Sequence, residues 1–114
     1  MYIKIHKSYR TVVAICDSNL LGKKFEEGIK QIDIQENFFK GTDLPEQEII
    51  KIIQQQCRED AIFNIVGNDS IESALKAGII SEESIGKIQE IPYALKLLWN
   101  YFFLKESICI LSIL

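Results

Sequence analysis

Few side chains in this sequence can act as nucleophiles, bases or metal ligands, and that narrows the chemistry to consider. There is one histidine, His6, and there are three cysteines, Cys16, Cys57 and Cys109, with no Cys-x-x-Cys pair among them. A zinc site needs four nitrogen or sulfur ligands, usually delivered as close pairs. This scattered set does not supply them, so no metal and no cofactor is expected. A Cys–His nucleophile pair must use His6, and Cys16 is its nearest thiol in sequence. The carboxylate pairs Glu26-Glu27, Glu59-Asp60 and Glu82-Glu83 are each adjacent in sequence, so in regular structure their side chains diverge and cannot share a proton or a metal. They read as solubility charges, and no catalytic residue is assigned.

Binding chemistry has more candidates. Leu20-Leu21-Gly22-Lys23-Lys24 is only superficially like a phosphate-binding loop, because Asp17 replaces its first glycine and Lys24 its magnesium-binding hydroxyl. The turn Gly67-Asn68-Asp69-Ser70 opens a helix whose first amides could hold an anion, although Asp69 would repel one. A ligand or partner site is therefore drawn between the two loops, from Asp17, Leu20, Gly22, Lys23 and Lys24 on one side and Gly67 and Asn68 on the other. Lys4, Lys7, Arg10, Lys23 and Lys24, with Tyr9 among them, could contact nucleic-acid phosphates, and a solvated face accounts for them equally well. Asn64 sits in an otherwise apolar run; a buried amide must find partners, so it is either a structural hydrogen-bonder or a site residue.

The elements that must position these groups follow from periodicity. Tyr2 to His6 and Thr11 to Cys16 are roughly alternating, β-branched runs around Lys7-Ser8-Tyr9-Arg10, which predicts a β-hairpin with a four-residue loop. In that register Thr11 faces His6 and Ile15 faces Tyr2, so that Ile3, Ile5, Val12, Ala14 and Cys16 share the buried face. His6 then points away from Cys16, about 16 Å from it along the strand at ~3.3 Å per residue, which argues against a dyad. A short helix is expected from Ser18 to Glu26, ending at Gly28, then a strand over Ile29 to Ile34 and a turn at Phe38-Phe39. Asp43-Leu44-Pro45-Glu46 reads as a capped helix start, with Ile49, Ile50, Ile53 and Cys57 as the buried stripe. Ala61 to Val66 is a short buried strand leading into a helix closed by Gly78. Ile85 to Leu98 fits strand or helix.

Composition agrees with one domain. The chain has 114 residues, 47% hydrophobic and 25% charged, enough apolar side chains to form a core. Its net charge of -3 hides an asymmetry: residues 1–30 hold six basic and three acidic groups, the remainder seven and thirteen. Lys4, Lys7 and Arg10 break up the apolar run that an export signal needs, and unpaired thiols suit a reducing compartment, so a cytoplasmic protein is expected. The segment LLWNYFFLKESICILSIL over residues 97–114 is strongly apolar, but Lys105 and Glu106 fall in its middle. A spanning helix needs about 20 apolar residues, so this reads as an extension docked on the domain or on a second copy, with no membrane span.

The runs YIKIHK, VVAICDSNLLGKKFEEG, NIVGNDSIESALKAGII and IPYAL together resemble an archaeal family of small proteins known as domain of unknown function 424. The likeness covers about residues 1–97 and rests chiefly on Cys16-Asp17-x-x-Leu20-Leu21-Gly22-Lys23 and Phe25-Glu26-Glu27-Gly28. It implies a single α+β domain and no established activity, cofactor or catalytic residue. Two departures stand out: Pro92-Tyr93-Ala94 where the family pattern has Pro-His-Ala, and the tail after Leu97, which lies beyond the family's usual end.

The expected architecture is thus a single α+β domain over residues 1–97, an amino-terminal hairpin and further strands packed against two to four helices, with residues 98–114 as an apolar extension. Three functions are consistent with it. The first is a non-enzymatic binding or adaptor module associated with RNA or the translation machinery, since basic groups concentrate on the most distinctive segment. The second is a small enzyme or ligand-binding protein using the site between the 17–24 and 67–70 loops. The third is a structural subunit self-associating through residues 97–114.

Overall fold

The amino-terminal hairpin forms, with its register displaced by one residue from the expected one. In the computed structural model, which describes residues 1–7 and 9–96, β1 (Tyr2–His6) pairs antiparallel with β2 (Val12–Cys16), placing His6 opposite Val12, Ile5 opposite Val13 and Tyr2 opposite Cys16. The reason lies in β2 itself. All five of its residues are buried, so it carries no polar–apolar alternation to specify a register. Thr11 does not pair with His6; its carbonyl accepts from the Ile62 N–H at 2.9 Å, which leaves a longer loop. Since one step of register moves every side chain to the other face, Ile3 and Ile5 line up with Val13 and Ile15, whereas His6, Val12, Ala14 and Cys16 share the opposite side.

Around this hairpin a six-stranded mixed sheet assembles in the order β5-β1-β2-β6-β8-β7. Here β5 is Thr42–Asp43, β6 Ile62–Val66, β7 Gly86–Ile88 and β8 Ile91–Lys96. Strands β2 and β6 run parallel at the centre, Val12 beside Ile62 and Cys16 beside Val66, and every other pairing is antiparallel. A central parallel pair must be covered on both faces. One face takes α2 (Glu46–Arg58) and α3 (Asn68–Ala77), which bury Ile49, Ile53, Ile71 and Ala74 against Ile3, Val13, Ile15, Phe63 and Ile65. The other takes a two-stranded ribbon, β3 (Lys24–Glu27) and β4 (Lys30–Asp33), with the one-turn helix α1 (Glu36–Phe39). Ile32, Ile34 and Phe39 there pack on Ala14, Cys16, Val66, Ile88 and Tyr93.

The described residues form an α+β fold with three α-helices, and several local expectations are corrected. The helix expected over Ser18 to Glu26 is a single 3-10 turn, Ser18–Leu20, followed by strand β3, because Gly22 takes a positive φ of 83° and Gly28 turns the chain back at the ribbon tip. Phe38 and Phe39 belong to α1 instead of a turn. Asp43 does not cap α2; it lies in β5, and its carboxylate accepts from the Met1 amino group at 3.1 Å. On α2 the buried stripe is Ile49, Ile53 and Gln56, with Ile50 and Cys57 only partly covered. The ambiguous stretch after Ile85 is the hairpin β7–β8, whose two-residue loop, Gln89 and Glu90, has positive φ at both positions. Gln89 holds this loop to the ribbon, its amide donating to Glu27 Oε1 at 2.7 Å and its side chain to the Glu26 carbonyl at 2.6 Å. No helix among the described residues is long and apolar enough to cross a membrane. The tail from residue 97 onward lies outside the described residues, as do the readings of it as a docked extension or a self-association surface.

Candidate functional site

The loop after β2 and the turn after β6 come together because their strands are parallel neighbours ending level with each other, Cys16 beside Val66. The next residue, Asp17, donates its amide to the Val66 carbonyl at 3.2 Å and sends its side chain across to the start of α3. There Oδ2 accepts from the Asp69 amide at 3.2 Å, and Oδ1 from the Ser70 amide at 2.9 Å and the Ser70 hydroxyl at 2.7 Å. Asp17 is buried, and Ser70 fully so. The negative carboxylate meets the positive end of the helix dipole, a favourable arrangement strengthened by exclusion from water. Gly67 makes the approach possible: its φ is +111°, and a Cβ there would fall 2.3 Å from Asp17 Cγ. The N–H groups that a phosphate would use at this helix terminus are thus taken by the protein's own carboxylate.

The other members of the drawn site scatter around this junction. Leu20 is buried in the ribbon-side core, Gly22 donates to the Ile34 carbonyl at 2.8 Å, and Lys23, Lys24 and Asn68 are exposed. A cavity of about 300 Å³ opens elsewhere, beside Gly78, Ile79, Ile80, Ser81, Ser84, Leu95 and Lys96, and none of its lining belongs to either loop.

His6 and Cys16 share a face after all, a correction that follows from the register. They remain four residues apart along the hairpin, about 13 Å at ~3.3 Å per residue, so distance and not orientation keeps them from forming a dyad. Each is also engaged elsewhere. His6 Nε2 lies 2.8 Å from the Phe38 carbonyl, to which it must be the donor, and its ring stacks on Phe38 with centroids 4.7 Å apart. Burial, assisted by the neighbouring Asp17 charge and opposed by the terminal amino group, pushes the Cys16 thiol up to about 12. A thiol so held offers no thiolate at neutral pH. Among the described residues no group of three or more His, Cys, Asp or Glu side chains could hold a metal ion.

Asn64 is the one buried polar side chain for which sequence reasoning anticipated partners that the described structure does not supply. It is fully buried on the ribbon side of β6, level with Ala14 and Leu95, and neither its Oδ1 nor its Nδ2 has a hydrogen-bond partner. Ser70, which anchors Asp17, enters the sequence reading only as part of the turn that opens α3. The signal available for it was an acid directly after one strand and a glycine directly after another, which marks two chain ends that meet.

The basic residues do not form one patch. Lys7 and Arg10 lie in the β1–β2 loop, at the end of the sheet where β6 begins and β8 finishes, so Arg58 at the close of α2 and Lys96 at the close of β8 lie at the same end, with Glu59 and Asp60. Lys23 and Lys24 follow the opposite end of β2, where the first turns of α2 and α3 bring Glu46, Glu48 and Asp69, and Lys24 sits directly across the ribbon from Asp33. Lys4 lies between them, its Nζ donating to the Asn37 carbonyl at 2.7 Å.

Comparison with known proteins gives the fold and no chemistry. Residues 6–97 match the profile of a family described as "Protein of unknown function (DUF424)". The crystal structure of an uncharacterized conserved protein from Methanopyrus kandleri superposes with a TM-score of 0.77 at 23% identity, covering 85% of this chain and 90% of that one. No curated protein matches the chain.

Three outcomes follow from this geometry. Asp17→Ala removes three hydrogen bonds and leaves two buried donors exposed to an apolar site, so it should destabilise the fold by about 2–4 kcal/mol in urea unfolding. Asn64→Leu replaces an unpartnered amide by an apolar group and should raise the midpoint of thermal unfolding by about 4–8 °C, the equivalent of roughly 1 kcal/mol. The raised Cys16 pKa means that the unfolded thiol ionises from about 9 while the folded one does not until about 12. Stability should therefore be unaffected by this group below pH 9 and fall as pH rises from there towards 12, a slope that Cys16→Ala diminishes.

Proposed function

The chain belongs to the DUF424 family of proteins of unknown function, and from its own geometry we propose that it is a non-enzymatic binding module that contacts RNA phosphates through the basic end of its sheet. The observation that carries this reading is the sorting of charge. Lys7, Arg10, Arg58 and Lys96 stand at one end of the sheet against Glu59 and Asp60, while at the other end Glu46 is ion-paired with Lys76 and Asp43 with the Met1 amino group. An excess of cations at one end of the sheet draws a polyanion there.

The non-enzymatic half of the reading is supported by where the reactive groups sit. Asp17 caps a helix, His6 is bound to a backbone carbonyl, and the Cys16 thiol is buried and protonated. The lysines at 23 and 24 take a lesser part, since they lie at the other end of β2 and Lys24 stands directly across the ribbon from Asp33.

The test is fluorescence anisotropy with a labelled single-stranded RNA over a series of salt concentrations. Binding should weaken steeply with salt, with a slope in log–log form of roughly -0.7 per phosphate contacted. Lys7→Glu combined with Arg10→Gln should weaken binding about tenfold and flatten the slope by roughly 1 or more, whereas Lys23→Glu with Lys24→Glu changes it little. A wild-type chain with no salt-dependent affinity for RNA overturns the reading.

A further inference from the structure

We infer that Tyr9 is a stacking platform for an unpaired RNA base, so that the nucleic acid recognised at this end is single-stranded. The inference rests on the RNA reading above and adds the form of the ligand to it. Tyr9 is 99% exposed, more than any other large apolar side chain among the described residues; the next, Ile29, is 77% exposed at the ribbon tip, beyond β3 and β4. A tyrosine ring carries roughly 150–250 Å² that normally goes into a core or an interface. The fold draws nothing from this one. Tyr2 and Tyr93, by contrast, are partly or largely covered, and the Tyr93 ring packs so closely over Gly86 that a Cβ there would lie 2.6 Å from its Cζ.

The setting of Tyr9 matches a base and not a helix groove. It follows Lys7 by two residues and directly precedes Arg10, in a loop that extends past the end of a strand pinned by Lys4 to the Asn37 carbonyl and by His6 to the Phe38 carbonyl. An aromatic face between cations lets a base stack while the flanking phosphates are neutralised. In an A-form duplex the bases already stack on one another and the major groove is too narrow for a side chain to read, so a ring on a loop has no face to meet.

Two probes distinguish the proposal from the reading beneath it: a ten-nucleotide oligouridylate and a sixteen-base-pair RNA duplex of mixed sequence, each titrated with the full chain. Wild type should prefer the oligouridylate. Tyr9→Ala should lose about tenfold or more of that affinity, leave duplex affinity and the salt slope unchanged, and keep the thermal midpoint, while Tyr9→Phe retains wild-type binding because the ring is what stacks. If Tyr9→Ala binds the oligouridylate as tightly as wild type, the stacking role is overturned and the electrostatic reading stands. Equal wild-type affinity for both probes likewise overturns the single-strand preference. If neither probe shows salt-dependent binding, both fall, beginning with the RNA reading.

Discussion

The fold is tied together by one buried carboxylate. Asp17 joins the end of β2 to the beginning of α3, fifty-three positions before its partner Ser70. The same residue bonds through its backbone to Val66, so a single side chain and its own amide bind the ends of both central strands and the helix that follows one of them. A helix terminus left without such a partner would hold several N–H groups away from water and unpaired. Gly67 is a condition of the arrangement, because any side chain at that position would occupy the volume the carboxylate fills.

Among the described residues, the same assembly engages His6, Cys16 and Asp17. The groups most capable of acid–base or nucleophilic work are those that the two-faced sheet recruits for its own assembly. A mixed sheet with a parallel centre has no solvent-facing side at its middle strands, so Cys16, Asp17 and Asn64 are enclosed by geometry. The exposed polar side chains lie at the rims, where loops connect strands and face water. The rim around Lys7 carries Lys7, Arg10, Arg58 and Lys96 against Glu59 and Asp60.

Much of the fold could be read in the residues, and its misreadings have physical causes. Ala61 to Val66, the helix closed by Gly78 and the amino-terminal hairpin were all visible, because glycine punctuation and long apolar runs are local signals. The hairpin register was not, since VVAIC is apolar at every position and alternation cannot specify a face that burial does not distinguish. The spacing of Leu20, Leu21 and Phe25 predicts a helix over Ser18 to Glu26, whereas the strand conformation of Lys24–Glu27 comes from pairing with Lys30–Asp33, a contact between two segments. For the drawn site, meeting of the 17 and 67 loops was legible from their Asp and Gly, but the fact that they satisfy each other required knowing that β2 and β6 are parallel neighbours.

The parallel pairing of β2 with β6 has a kinetic side. The β1–β2 hairpin closes over a short loop and can form within microseconds, but β6 is fifty positions further along, and the ribbon, α1, β5 and α2 lie in between. Closing so large a loop costs entropy before any contact offsets it, which raises contact order and slows the search. Since the cap of α3 comes from the far side of that loop, the helix gains its terminal partner only when the central strands have met. The amino-terminal third and the middle of the chain are thereby made one cooperative unit, in which neither half reaches its final stability without the other.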